Sequence, residues 1–372
     1  MLKLLHCADL HLDSPFASAG PRVSAVRRGE LRESFRKMMR WAANKGCDLV
    51  LMAGDLIDTS YATSETAGLL IHEIASNPGC RYIITPGNHD PAEPNSIWKR
   101  LTFPDNAVIF TSETPETVTF DIRGQKVSVT GYGFTTPRLT VSPINGLRAD
   151  TAADCRILCA HCDITDPLSD SAPVTVADLA ASGFDYAALG HIHTSSVKKA
   201  GDTTYAYSGC LAGRDFEPGE TGWKGALYVE IDDSRRVTAT FVRFASHRYM
   251  RLRANCEGAS QWPPIAERLA DVIREQYSSS TSLRLILTGS VSPDFRPNLH
   301  ILRSLLESRS VSIGCLELQN DTLPILSGKA LETDPSIRGE FYRLLLKDLT
   351  EGTPEERRTA AEALRAGLDA LG

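Results

Sequence analysis

The sequence predicts an α/β protein built from two β-sheets packed face to face with helices outside. Three observations carry that prediction. Short apolar runs of strand character recur from the first residues to about residue 243. Helical stretches separate several of them, and five of the runs end abruptly in acids, amides and imidazoles. A strand ending in such side chains delivers them to one edge of a sheet, where ligands of open α/β sheets bind.

In chain order, Leu2–Cys7 leads into Asp9-Leu10-His11, and a helix fits 24–44. The run Leu49–Ala53 ends in Gly54-Asp55-Leu56-Ile57-Asp58, a second helix fits 64–76, and Arg81–Thr85 ends in Gly87-Asn88-His89-Asp90. Segments 107–110, 117–122 and 126–132 read as strands, with Gly124-Gln125 as the hairpin turn between the last two. The run 156–160 ends at His161 and a helix fits 174–182. The run 187–189 ends in Gly190-His191-Ile192-His193, whose alternate histidines face the same way on an extended segment. Strands at 195–199, 204–208, 225–231 and 236–243 complete the set, and loops 137–150 and 163–173 flank His161.

An isolated Asp-x-His or Gly-Asp arises by chance on any loop, so the conjunction of five clusters decides. Their donors exceed what one ion uses. Mixed oxygen and imidazole ligands suit Mn, Fe or Zn better than Mg or Ca. Seven or eight of them can hold two divalent ions bridged by a carboxylate.

The order Asp-x-His, Gly-Asp-x-x-Asp, Gly-Asn-His-Asp, a lone His and Gly-His-x-His, spread from Asp9 to His193, resembles the calcineurin-like metallophosphoesterase superfamily. The opening His6-Cys7-Ala8-Asp9-Leu10-His11-Leu12-Asp13-Ser14-Pro15 resembles its bacterial DNA-repair exonuclease branch, which contains the nuclease subunit of the SbcCD complex and YhaO-type proteins. So do Tyr207-Ser208-Gly209-Cys210-Leu211-Ala212-Gly213-Arg214 and Glu220-Thr221-Gly222-Trp223-Lys224-Gly225. The resemblance implies a four-layer α-β-β-α sandwich over residues 1–245. It places Asp9, His11 and His193 on one metal, Asn88, His161 and His191 on a second, and Asp55 between ions ~3.5–4 Å apart. Mn²⁺ is the expected ion, with Fe or Zn open. A metal-activated water would attack phosphorus in line with the leaving oxygen. His89 is expected to protonate the leaving alkoxide or stabilise the transition state, with Asp58 as its favoured orienter and Asp90 as the alternative. Arg214 is a candidate phosphate contact.

Beyond the sandwich, a strand at 248–252, a helix at 263–277, a polar link at 278–282, a strand at 283–288, a helix at 298–308 and a strand at 311–318 form a small α+β module within 246–325. The resemblance implies a capping domain that shapes a DNA groove; a dimerisation or stability module is the plainer reading. The tail 331–372 reads as two amphipathic helices, 336–349 and 354–371, broken at Gly352-Thr353-Pro354. Ile337, Phe341, Leu344 and Leu345 form one apolar stripe; Ala360, Ala363, Leu364, Gly367, Leu368 and Leu371 form another. Such stripes must pack on something, either the capping domain or a partner. In the resemblance the partner is a coiled-coil SbcC-type ATPase, and a homodimer through the outer helices is a further expectation of the family.

Composition sets the outer bounds. The 372 residues are 42% hydrophobic and 23% charged, an ordinary globular balance. No apolar run approaches the ~20 residues that span a membrane. The first residues read as a strand rather than a secretory signal. Nine cysteines form no regular framework, and the odd number favours reduced thiols in the cytoplasm. Cys159-Ala160-His161-Cys162 has C-x-x-C spacing but closes a strand run instead of opening a helix. Cys159 therefore reads as core, and Cys162 as a neighbour of the ligand, near enough for oxidation to touch the site. The net charge of −6 argues against strong DNA affinity by the chain alone, although two bound cations would offset it locally. Arg22, Arg27, Arg28, Arg32, Arg36, Lys37 and Arg40 read as a solvated helix face around Val26, Leu31, Phe35, Met38 and Met39, with phosphate contact as the alternative.

Three functions compete. The first is a metal-dependent DNA exonuclease or endonuclease of end processing. The second is a small-molecule, cyclic-nucleotide-like phosphodiesterase or a phosphatase. Thr59-Ser60, standing where protein phosphatases of the superfamily carry Arg-Gly, speaks against phosphoproteins. The third is a scaffold with a dead site, against which the full motif set counts.

Overall fold

The computed structural model describes residues 1–16, 21–292, 295, 297–324 and 331–371. It divides into two compact units, Met1–Tyr249 and Met250–Gly372. Among the described residues the first holds twelve strands: β1 Leu2–Cys7, β2 Leu49–Ala53, β3 Arg81–Thr85, β4 Ala107–Ile109, β5 Glu116–Ile122, β6 Gln125–Gly131, β7 Cys155–His161, β8 Tyr186–Gly190, β9 Ser196–Ala200, β10 Thr203–Tyr207, β11 Gly225–Ile231 and β12 Val237–Arg243. Helices α1 Pro21–Lys45, α2 Ser64–Ala75, α3 Ile97–Arg100 and α4 Val176–Ser182 accompany them.

The strands form two six-stranded sheets, ordered β12-β11-β1-β2-β3-β4 and β5-β6-β7-β8-β10-β9. The parallel run β1 to β4 is covered on both faces, which explains the continuously apolar Leu49–Ala53. On one face Leu5, Val50, Met52 and Ile84 pack with Phe35 and Met38 of α1, Leu70 of α2 and Trp98 of α3. On the other, Leu4, Leu51 and Ile83 meet Val127, Ile157 and Tyr186 of the second sheet. The far face of that sheet, through Leu158 and Leu189, packs with Leu179 of α4 and with Ile144. Helix, sheet, sheet and helix are the four layers, and the ends of β1, β2, β3, β7 and β8 bring their polar clusters to one edge.

Two expectations need correction here. The hairpin between β5 and β6 turns at Arg123-Gly124, one residue earlier than expected, with φ of 55° and 77° and Ile122 paired to Gln125. Positive φ at both central residues is the type I′ pattern that matches strand twist. On α1, Val26 is 57% exposed, whereas Ser24 and Arg27 are buried. Ser24 Oγ donates to the Phe16 carbonyl at 3.1 Å and Arg27 pairs with Glu30 at 2.6 Å. The basic face is largely ion-paired, with Arg32 on Asp13 and Glu65, Arg36 near Glu33 and Glu73, and Arg40 on Glu33.

The second unit begins within β13 Arg248–Asn255 and continues through α5 Trp262–Gln276, β14 Thr281–Thr288, β15 Ser290–Val291, α6 Leu299–Ser308, β16 Cys315–Asn320 and β17 Leu323–Pro324. Strands β13-β14-β16 form a sheet on which Ile265, Leu269 and Ile273 of α5 and Leu302 and Leu306 of α6 pack. The last strand of that sheet starts at Cys315, later than the expected 311. Two further helices, α7 Ile337–Glu351 and α8 Pro354–Ala370, bury Tyr342 with Leu364 and Leu368. Thr353 and Glu356 cap α8 reciprocally, which explains the break before Pro354. Ile337 and Leu344, expected in the apolar stripe, are each 72% exposed. Among the described residues no helix is long and apolar enough to cross a membrane.

Candidate metal centre

The loops after β1 and β2 are zipped together before any side chain is considered. The Asp9, His11 and Leu12 amides donate to the Gly54, Asp55 and Leu56 carbonyls, each at 3.0 Å. Asp9, His11, Asp55 and His191 all hold left-handed backbone, with φ of 52°, 45°, 54° and 103°. Such non-glycine conformations cost on the order of 1–3 kcal/mol each and persist where surrounding structure over-determines them. Buried Asp90 supplies part of that determination. Its carboxylate accepts from the amides of Asp55, Leu56, Ile57 and Gly87, at 3.2, 2.8, 3.3 and 2.6 Å. Asp13 anchors the β1 loop to the helices through Arg32 at 2.6 Å and the Thr66 hydroxyl at 2.5 Å.

Hydrogen-bond partners fix the tautomers, and the tautomers then create a conflict. His11 Nδ1 lies 2.8 Å from Asp58 Oδ1 and His193 Nδ1 lies 2.7 Å from Glu220 Oε1. Facing carboxylates, both Nδ1 atoms carry the proton, so in the neutral rings both Nε2 atoms present lone pairs. Burial lowers His193, but Glu220 and Asp9 outweigh it and raise that imidazole, a push that a bound cation would oppose. Those two Nε2 atoms stand 3.3 Å apart, and an Asp9 oxygen belongs to the same cluster. The second cluster repeats the logic. His161 Nδ1 meets the Ala53 carbonyl at 3.0 Å, leaving its Nε2 lone pair 2.9 Å from Asn88 Oδ1 and 3.4 Å from Asp55 Oδ2. Acceptors converging on acceptors in a buried place call for cations. Burial lowers His161 to about 4 and also lowers His11 and His191, so these imidazoles are neutral, as ligation requires. Burial pushes Asp9 up to about 7, against the pull of His193 and with the help of Asp55. A bound cation would reverse that push.

A family model for calcineurin-like phosphoesterases matches residues 2–195, the segment that supplies every one of these donors except Glu220. The chain is a calcineurin-like metallophosphoesterase. It is 28% identical over 304 residues to the uncharacterised metallophosphoesterase YhaO of Bacillus subtilis, covering 78% of this chain and 72% of that one. It is 27% identical over 392 aligned positions to the DNA double-strand break repair protein Mre11 of Aeropyrum pernix, covering 96% and 93%. The Mre11 of Methanopyrus kandleri is 24% identical over 263 residues, covering 65% of this chain and 56% of its own length. Metallophosphoesterases are hydrolases of phosphoesters that bind divalent metals, and the donor set of this one fits such ions.

Within this metallophosphoesterase the remaining expected residues take particular places. Asp58 serves His11 first; the same Oδ1 is 3.5 Å from His89 Nδ1, an ion-pair distance. Asp90, the alternative orienter, is spent on backbone amides. His89 is held by its own amide, which donates to Asp55 Oδ1 at 2.9 Å, and its side chain is 53% exposed at the rim. His191 Nε2 stands 3.5 Å from Asp163 Oδ2, and its ring lies edge-on to that of His161 with centroids 5.4 Å apart. Arg214 binds Glu220 through Nε at 3.0 Å and Nη2 at 2.6 Å, so much of its fork is engaged beside His193. Cys159 and Cys162 are free and buried, with burial raising both thiols.

Glu220 opens one of the stretches that carry the resemblance, yet the sequence assigns it no role at the site. It sits in a short 3₁₀ turn, Pro218–Glu220, and is almost fully buried. Burial raises its carboxyl, but His193 and Arg214 outweigh that and hold it far below the usual range. Lys224 Nζ closes the turn by donating to the His193 carbonyl at 2.9 Å and to Gly219 O.

Proposed function

We propose that this metallophosphoesterase is a two-metal DNA phosphodiesterase of end processing. The observation that carries the reading is the pair of lone-pair convergences, His11 with His193 and His161 with Asn88 and Asp55, beside a half-exposed His89. The likeness to Mre11 proteins, one across nearly the whole chain, supports DNA as the substrate.

Asp9, His11 and His193 would hold one ion, and Asn88, His161 and His191 the other, with Asp55 shared. Mn²⁺ is the ion proposed. Such a pair supplies an activated nucleophile and neutralises charge on the phosphoryl oxygens. Glu220, Asp58 and the Ala53 carbonyl keep three imidazoles in the ligating tautomer, so no reorganisation is needed when substrate arrives. His89 donates a proton to the leaving alkoxide, and Asp58 behind Nδ1 stabilises the imidazolium that does so. For the rest of the chain we propose that 246–325 caps the site. Ile337 and Leu344, exposed on α7, support docking of the tail on a coiled-coil SbcC-type ATPase in the cytoplasm.

The deciding experiment is cleavage of end-labelled linear duplex DNA with Mn²⁺ by wild type and His89→Ala. Cleavage by wild type alone, with Mn²⁺ content equal in both proteins, is the expected result. Intact DNA with or without the ATPase, combined with rapid turnover of small phosphodiesters, would replace this reading by a small-molecule phosphodiesterase.

A further inference from the structure

The loop between β2 and α2 holds an aromatic ring in the open. Tyr61 is 55% exposed, more than any other phenylalanine, tyrosine or tryptophan among the described residues. Its hydroxyl has no protein hydrogen-bond partner among them. Single exposed apolar residues are ordinary on protein surfaces, so exposure alone decides nothing. The backbone on either side of this ring does.

The loop is anchored at both ends. On one side the Tyr61 amide donates to the Asp58 carbonyl at 2.8 Å and closes a four-residue turn. Within that turn Thr59 donates twice to the His89 carbonyl, from its amide at 3.2 Å and from its hydroxyl at 2.9 Å. On the other side Thr63 donates to Asp13 Oδ2 from its amide and its hydroxyl, each at 3.0 Å, and caps α2 by accepting from the Thr66 amide. Between the anchors Ala62 packs on the core that lies under α1 and α2. The small residue turns inward, and the large ring beside it stays outside on a braced backbone. A ring held in this way gives up little freedom when a ligand covers it.

The turn also fixes where the ring stands. Its first and fourth Cα atoms lie within ~7 Å of each other, so Tyr61 is that close to Asp58. Asp58 Oδ1 is in turn 3.5 Å from His89 Nδ1. That span is about two rises of a nucleic-acid strand, ~3.4 Å each. In the reading above His89 serves the leaving oxygen, so the stapled turn flanks the leaving side of the site.

We propose that Tyr61 stacks on the base of the nucleoside that carries the leaving oxygen. The inference rests on the DNA reading above. A base suits the place better than a phosphate, because the ring offers an uncharged π-face and its chain neighbours Thr59, Ser60, Ala62 and Thr63 supply no cation. Stacking accepts every base, as the processing of unrelated ends requires. It also needs a free base face, which a base inside an intact duplex lacks and a frayed end provides.

The test is steady-state cleavage of end-labelled duplex DNA by the full chain with Mn²⁺, at a bond first mapped with wild type. Tyr61→Ala should raise KM roughly tenfold, the loss of one base stack, with a smaller change in kcat. Tyr61→Phe and Tyr61→Trp keep a ring and should restore the wild-type KM. The base is then removed in turn from the nucleoside carrying the leaving oxygen and from its neighbour across the cut bond. The first abasic substrate should raise KM for wild type to the Tyr61→Ala value and leave that variant's KM where it was. A Tyr61→Ala loss of equal size on intact and abasic substrates would show a disturbed turn behind His89 and overturn the stacking. Sensitivity to the second abasic substrate alone would overturn the assignment to the leaving side. Unchanged KM in Tyr61→Ala would overturn the proposal while leaving the DNA reading intact. Failure of wild type to cut DNA, with or without the ATPase, would remove the DNA reading and the stacking with it.

Discussion

Glu220 touches no expected metal position, yet it decides which nitrogen of His193 can. Removing its charge in Glu220→Gln should lower Mn²⁺ affinity about 10–100-fold, as loss of a carboxylate behind a ligating imidazole commonly does. Titration calorimetry reads this directly. The variant should also melt lower without metal, because Arg214 keeps its charge in a mostly buried place. Mn²⁺ affinity equal to wild type would mean that Glu220 serves Arg214 alone. A second effect of single residues concerns acid. Burial lowers His6 to about 3, although its bond to the Leu189 carbonyl pulls the other way. Between pH 6.5 and about 3 the unfolded chain therefore binds a proton at His6 that the folded chain refuses. Its contribution is complete above pH 6.5 and is lost as pH falls, by up to about 1.4 kcal/mol per pH unit. Denaturation of metal-free protein at several pH values should show a shallower acid slope in His6→Gln than in wild type; equal slopes would remove His6 from the account. The seven expected ligands were readable because each stands within a few residues of a strand end. The Glu220 stretch was noticed but its role was not legible, since it comes from a short turn 27 residues after its partner and no strand end marks it.

Where an element must pass close to the site, glycine is a requirement rather than a preference. Gly54 follows β2 with φ of 88°, and a Cβ there would come within 2.3 Å of His161 Nδ1 and 2.6 Å of its Cγ. Gly46 also has positive φ, 62°, but a Cβ there meets nothing within 4 Å. Gly46→Ala should therefore cost about 1 kcal/mol from backbone strain alone. Gly54→Ala should cost more and also lose Mn²⁺, because His161 must move. Melting curves with and without Mn²⁺ on both variants separate strain from displacement. Comparable metal affinity in the two would show that the ring accommodates the methyl group. Elements of this length were legible from apolar runs and their Gly-Asp or Gly-Asn-His stops. The β5–β6 turn was misplaced by one because Arg123, an unfavoured residue at positive φ, is propped from outside by Asp48 at 2.8 Å and the Met1 carbonyl at 3.2 Å. Val26 was misread because periodicity gives the stripe but not where a buried polar residue such as Ser24, bonded to the Phe16 carbonyl, interrupts it.

At the scale of the whole molecule, all expected metal ligands, His89, Asp58 and Glu220 belong to Met1–Tyr249, as do the three apolar cores that frame the two large sheets. The layered sandwich was legible from the number and spacing of its strands. The sheet order was not, since β11 lies antiparallel beside β1 from more than two hundred residues away, and such pairing leaves no local trace. The second unit closes a core of its own, drawn from α5, α6 and the strands between them. The first unit thus holds its own apolar cores together with every expected ligand. A chain of residues 1–249 should unfold cooperatively, bind Mn²⁺ with the stoichiometry of the intact protein and hydrolyse bis(p-nitrophenyl) phosphate at a comparable rate. What it should lose is any effect of the coiled-coil ATPase, whose proposed docking helix carries Ile337 and Leu344. Denaturation, metal titration and diester turnover on the two chain lengths decide the matter. Loss of metal binding by the short chain while it still folds would show that the metal centre is completed from beyond Tyr249.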